Sequence, residues 1–158
     1  MRIPIRRLDP GLPLPAPQHE GDAGIDLFAA ADATLDAAGG RALVPTGIAV
    51  AIPTGYAGFV QPRSGLAFRH GVTVANTPGL VDAGYRDELR VLLVNVDPVQ
   101  PFKISRGDRI AQLVIQRFET VEWDEVADLD ATERGLSGWG STGQRGPAPR
   151  AGQDRSPR

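Results

Sequence analysis

Fourteen prolines and nineteen glycines are scattered along this chain instead of being gathered in one tract, and they punctuate it every ten residues or so. Punctuation that dense leaves little room for long helices and favours many short strands. Residues 44–52 show the pattern best. Val44, Thr46, Ile48, Val50 and Ile52 share one face, while Pro45, Gly47, Ala49 and Ala51 occupy the other, a period of two that predicts one strand with one packed face. Further strands are expected over residues 24–30, 56–61, 72–75, 86–97 and 108–118, with a helical turn only at 64–70. An all-β fold follows, either two sheets packed face to face or a jelly roll. At 158 residues the chain is read as a single domain able to bury about two thirds of its unfolded surface.

A formal charge of −2 speaks against a surface for duplex nucleic acid, so an anionic ligand would have to be held by local cations. The absence of cysteine removes disulfides, thiolate nucleophiles and sulfur-ligated zinc. His19 and His70 lack ligand-type spacing, whereas hard-cation chemistry through carboxylates stays open. No apolar run approaches the roughly 20 residues of a membrane span, and no basic-then-apolar leader opens the chain, so a soluble, cytoplasmic protein without a membrane partner is expected.

Five segments can carry chemistry. Residues 62–67, PRSGLA, follow a strand and set Arg63, Ser64 and Gly65 at the mouth of a turn, where charge and backbone donors together can hold a phosphate. An ordinary strand-to-turn junction is the other reading. In residues 78–95, PGLVDAGYRDELRVLLVN, Asp82 interrupts an apolar run between Gly79 and Gly84 and is followed by Tyr85. A tight hairpin there would bring one carboxylate and one ring together, either as a general base with its companion or as a plain turn. Gln112 is the lone polar group of Ile110–Ile115 and either faces solvent or donates to a ligand. Asp22 and Asp26 are four apart at the entry to a strand, a spacing that in extended backbone lets both reach one hydrated cation, although two surface acids would look the same. Residues 134–143, RGLSGWGSTG, combine Arg134, Trp139, Gly140, Ser141 and Thr142 in a stretch that reads as a lid for a nucleotide or as a flexible tail. The acidic residues 119–133 look like a connecting arm, and residues 144–158 carry no apolar periodicity and are expected to be a disordered tail beyond a domain of 1–143.

Together the ordered segments AGIDL at 23–27, PRSGLA at 62–67, GLVDAGY at 79–85, RGDRIAQ at 106–112 and the stretch 134–143 resemble the five motifs of the trimeric dUTPase family (dUTP diphosphatase). The resemblance implies a jelly-roll-like, distorted β-barrel subunit and a homotrimer whose active sites are shared between copies, each closed by a C-terminal arm. It also implies Mg²⁺-dependent hydrolysis of dUTP to dUMP and pyrophosphate, which supplies dUMP for thymidylate synthesis and keeps uracil out of DNA. In that reading Asp82 activates the attacking water, and Tyr85 packs beneath the deoxyribose, leaving no space for a 2′-hydroxyl. Asn76 and the backbone from Gly79 to Val81 read uracil. Arg63, Ser64, Gly65, Gln112, Arg134, Gly140, Ser141 and Thr142 hold phosphates, and Trp139 stacks on the base. Asp26, and more weakly Asp22, would act on the metal through water. Two positions depart from the family pattern: Trp139 stands where phenylalanine is usual, and Asp87 where glycine is usual. If that second position needed a positive φ, aspartate would tolerate it, but its charge would repel a triphosphate. Alternatives are a dCTP deaminase-like enzyme, whose acid-base glutamate is replaced by Leu92, and a non-catalytic nucleotide-binding β module.

Overall fold

A computed structural model describes residues 1–132 and Gly135. The chain divides into two units, Met1–Val121 and Glu122–Arg158. The described residues of the second unit carry no helix or strand, and the expected boundary at 143/144 lies outside the described residues. All strands among the described residues belong to the first unit. In chain order they are β1 (Ile5–Arg7), β2 (Ile25–Phe28), β3 (Ala33–Leu35), β4 (Arg41–Pro45), β5 (Ile48–Val50) and β6 (Tyr56–Gln61). After helix α1 (Ser64–His70) come β7 (Val72–Val74), β8 (Gly79–Val81), β9 (Arg90–Asn95), β10 (Phe102–Ile104) and β11 (Arg109–Arg117).

The fold is all-β and jelly-roll-like, as expected, but its ladders do not close into a barrel. They form a four-stranded sheet β2-β11-β6-β8, a three-stranded sheet β4-β9-β7, and the pairs β1-β5 and β10-β3, with every pairing antiparallel. The core is drawn from nearly every strand. Leu27, Leu35, Val44, Ile52, Val72, Val74, Val91, Leu93, Ile104 and Ile110 are almost fully buried, and each such side chain contributes about 1.5–3 kcal/mol on leaving water.

Three expectations are corrected. Residues 44–52 are not one strand: Gly47 has φ +70, a left-handed conformation that glycine adopts without a Cβ penalty, and the chain there leaves β4, paired with β9, for β5, paired with β1. Both faces of 46–50 are buried, so the alternation marks a strand changing sheets and not an open face. The long strand expected over 86–97 is trimmed to Arg90–Asn95. The segment 78–95 is no hairpin either, because β8 pairs with β6 whereas β9 pairs with β4 and β7.

Polar pins hold the connections. Asn95, fully buried, donates through Nδ2 to the Gln100 carbonyl (2.8 Å) and the Leu35 carbonyl (3.3 Å), and its Oδ1 accepts from Asp97 N–H (3.0 Å). Arg106 grips Asp9 through two nitrogens at 2.8–3.0 Å, tying the N-terminal segment to the turn before β11. That pairing is the main reason the Asp9 carboxyl is held below its usual range.

Candidate active site

Strand β11 lies between β2 and β6 and organises the polar end of the four-stranded sheet. Residues three apart in a regular strand point to opposite faces. A register irregularity between Arg109 and Ala111 changes this: Ile110 and Ala111 are both buried, and Arg109 and Gln112 both face one cleft. The same cleft, about 470 Å³, is lined by Asp22, Asp26, Arg63, Ser64, Gly65, Arg69, His19 and His70. Three of the sequence motifs therefore converge on one place.

Asp26 is its buried anchor. Oδ1 accepts from Arg63 Nε and Oδ2 from Arg109 Nη1, each at 3.1 Å, and the Asp26 side chain is only 10% exposed. Arg63 Nη1 also donates to the Arg109 carbonyl (3.1 Å), so the guanidinium is fixed between two elements. Gln112 does not face bulk solvent: its Nε2 donates to the Pro62 carbonyl (3.0 Å), locking the turn that leads into α1. Its Oε1 occupies the space that a side chain at position 24 would need, which explains why AGIDL carries a glycine there. At the start of α1 the N–H groups of Leu66 and Ala67 both bond the Arg63 carbonyl, whereas those of Ser64 and Gly65 make no backbone bond among the described residues. Cations, a hydroxyl and unspent amide donors on one concave surface make a cradle of the chemistry that can hold a polyphosphate.

Asp22 does not continue β2. It sits in a turn before the strand, where Oδ2 accepts from His19 N–H (2.9 Å) and approaches His19 Nδ1 (3.2 Å). Asp22 and Asp26 thus line one cleft without sharing a strand face, which corrects the extended-backbone expectation. Among the described residues no cluster of three His, Cys, Asp or Glu side chains is assembled.

The other half of the expected site lies elsewhere on the same sheet. Strand β8 is an edge strand, so half of its backbone N–H and C=O groups point away from the ladder, open to a ligand. Asn76 lies beside Gly79, and Val81 is buried. Beyond Val81 the chain turns with Tyr85 N–H on the Asp82 carbonyl (3.0 Å), and the Tyr85 hydroxyl donates to the Glu88 carbonyl (2.8 Å). Arg86 Nη1 closes the turn on the carbonyls of Ala83 (2.6 Å) and Tyr85 (2.7 Å). The exposed Asp82 carboxylate has no ion pair or hydrogen bond among the described residues. Asp87 adopts no positive φ, so it fits the backbone without strain; its Oδ1 accepts from Glu88 N–H (2.7 Å), and its charge remains.

The register fixes how these halves relate. Val81 pairs with Gly58, and Gln112 pairs with Gln61 at the opposite end of β6. Gly58 and Gln61 are three residues, about 10 Å, apart along β6, and Asp82 and Arg63 each lie farther out, past opposite ends of that span. Asp82, Tyr85 and Asn76 accordingly do not line the cleft. Arg134, Trp139, Gly140, Ser141 and Thr142 lie outside the described residues. Arg109 and Arg69 were not singled out by sequence reasoning, and His19 and His70 were considered there only as metal ligands and set aside. Arg109 could have been found from its place three residues before Gln112, had the bulge been foreseen.

Comparison with known proteins points to one family. A family model described as dUTPase matches residues 11–143. A deoxyuridine 5′-triphosphate nucleotidohydrolase of Thermobifida fusca is 61% identical over 90% of this chain and 79% of its own length, and that of Nocardia farcinica is 57% identical over 89% and 85%. Among solved structures, a Staphylococcus bacteriophage 80alpha dUTPase with dUPNHPP superimposes with a TM-score of 0.83 at 29% identity, covering 90% of this chain and 99% of that one. A mutant dUTPase from phage phi11 of S. aureus, described with a structural Mg(II) ion, gives 0.74 at 27% identity, covering 83% and 100%.

Proposed function

This chain belongs to the dUTPase family and hydrolyses dUTP, and from that premise we propose that its active site is assembled between copies of the chain, one supplying the nucleoside half and another the phosphate cradle. The observation that carries the proposal is that Asn76, Asp82 and Tyr85 are absent from the cleft lined by Arg63 and Gln112, because Asp82 and Arg63 lie beyond opposite ends of β6. A homotrimer meets this requirement with three equivalent sites.

In the assembled site the edge backbone of Gly79 to Val81 and the Asn76 amide pair with the uracil edge. The Tyr85 ring, held by its hydroxyl on Glu88, sits under the deoxyribose. Asp82, paired with no cation among the described residues, takes a proton from the water that attacks the α-phosphorus, a role worth about 10² to 10⁴ in rate. Arg63, Ser64, Gly65 and Gln112 of another copy hold the phosphates as pyrophosphate leaves, with Arg134, Gly140, Ser141 and Thr142 joining from the lid and Trp139 covering the base. Positioning and charge neutralisation then do most of the catalysis, as phosphoryl chemistry requires.

The residues suit a hydrated Mg²⁺, which favours one or two carboxylates plus substrate phosphates over an all-protein cage: Asp22 and Asp26 line the phosphate cleft, Asp22 Oδ1 has no partner among the described residues, and the Asp26 oxygens, though they accept from Arg63 and Arg109, keep lone pairs for the ion's waters. Bound there through water, the ion would neutralise phosphate charge. The products dUMP and pyrophosphate would feed thymidylate synthesis and limit uracil in DNA. Incubation with dUTP and dCTP separately, in the presence of Mg²⁺, tests the reaction. Pyrophosphate from dUTP alone is expected; ammonia from dCTP, or no product from either, would overturn it.

A further inference from the structure

The cradle holds three arginines against two aspartates, one net positive charge with the histidines neutral. The charges are not equally available. Arg63 and Arg109 are both committed to Asp26 at 3.1 Å. Arg69, in the last turn of α1, lines the same cleft and makes no ion pair or side-chain hydrogen bond among the described residues. Its guanidinium folds back over Gly65: a Cβ at that position would meet Arg69 Nη2 at 2.9 Å. The bare Cα of Gly65 thus leaves space for the Arg69 guanidinium at the mouth of the PRSGLA turn.

Resting on the dUTPase reading above, we infer that Arg69 is a further substrate-binding residue, whose guanidinium takes the phosphates that depart as pyrophosphate. A guanidinium already paired with a buried carboxylate offers an anion only its remaining N–H groups, whereas an unpaired one offers a whole fork. It lies in the cradle and not on the Asn76–Tyr85 element, so its contribution scales with the number of phosphates and not with the nucleoside. Arg69 is exposed, and its replacement leaves the core untouched.

The test compares wild type, Arg69→Ala and Arg69→Lys in steady-state dUTP turnover, inhibition by inorganic pyrophosphate and binding of dUMP, with oligomeric state and thermal melting as controls. Arg69→Ala should raise KM for dUTP about tenfold and weaken pyrophosphate inhibition to a similar extent, the lower end of what a charge-assisted contact supplies. Its kcat and dUMP affinity should stay within about twofold of wild type, and lysine should restore part of the loss. Unchanged KM and pyrophosphate inhibition in Arg69→Ala would overturn the assignment, as would equal losses for dUMP and dUTP or a fall in kcat alone. A wild type that releases no pyrophosphate from dUTP would instead fail the underlying reading and take this assignment with it.

Discussion

Replacing Asp26 by asparagine keeps the shape of the residue that fastens two arginines and removes its charge. Both carboxylate oxygens accept guanidinium N–H groups at 3.1 Å. The amide can keep one of these bonds, but its NH₂ then faces the other arginine, donor against donor. A charge-assisted hydrogen bond is worth about 1.5–3 kcal/mol where water is excluded. Asp26 is 10% exposed, but Arg63 and Arg109 are 28% and 43% exposed, so solvent recovers part of the loss and about 1–2 kcal/mol is expected. For a chain of this size that lowers Tm by roughly 2–8 °C. The assay is thermal unfolding at fixed protein concentration without Mg²⁺ or nucleotide, followed by dUTP turnover. Arg63 and Arg109 lose their anchor in Asp26→Asn, so kcat/KM should fall as well. If Asp26 acted only through a hydrated metal, the metal-free melting temperature would not move; an unchanged Tm refutes the clasp.

Asp82→Asn should retain dUTP binding while losing about 10² to 10⁴ in turnover, measured by calorimetry and pyrophosphate release; lost binding with an unchanged rate per bound complex would contradict its role as base. Removal of residues 134–158 should leave the β-core folded and oligomeric but severely reduce the rate, and a truncated chain with normal turnover would refute the lid. In Asp9→Asn the Arg106 clasp weakens. Because the folded Asp9 carboxyl is held below its ordinary value of 3.8, its stabilising contribution is fully present above that pH and is lost as the pH falls through the folded value. Urea unfolding should therefore show wild type more stable than Asp9→Asn at pH 6, with the gap closing below about pH 4; a gap that persists at low pH would exclude this linkage.

The all-β class was legible because punctuation and period-two runs act locally. Strands β6 and β7 and helix α1 fall where 56–61, 72–75 and 64–70 were expected. Strands β1, β3, β8 and β10 were not legible: three residues such as Phe102–Ile104 are too short to show a period, and only their partners make them strands. The split at Gly47 was hidden because a strand that changes sheets keeps its alternation while its second face becomes buried. The motifs could be picked out one by one from the residues, whereas their grouping came only through the family resemblance. Arg109 faces the cleft only because of a bulge, and the separation of Asp82 from Arg63 is a matter of register, which composition does not encode.

The assembled site is tested most directly by mixing two inactive variants, Asp82→Asn and Arg63→Ala. Each chain then lacks one half of the site and keeps the other. If base and cradle come from different copies, random reassembly of equal amounts should restore about a quarter of the wild-type sites, each with Asp82 from one variant and Arg63 from the other. Mixtures that stay as inactive as their separate components, although size and mass measurements show that mixed oligomers have formed, would mean that base and cradle act within one chain and would contradict the account.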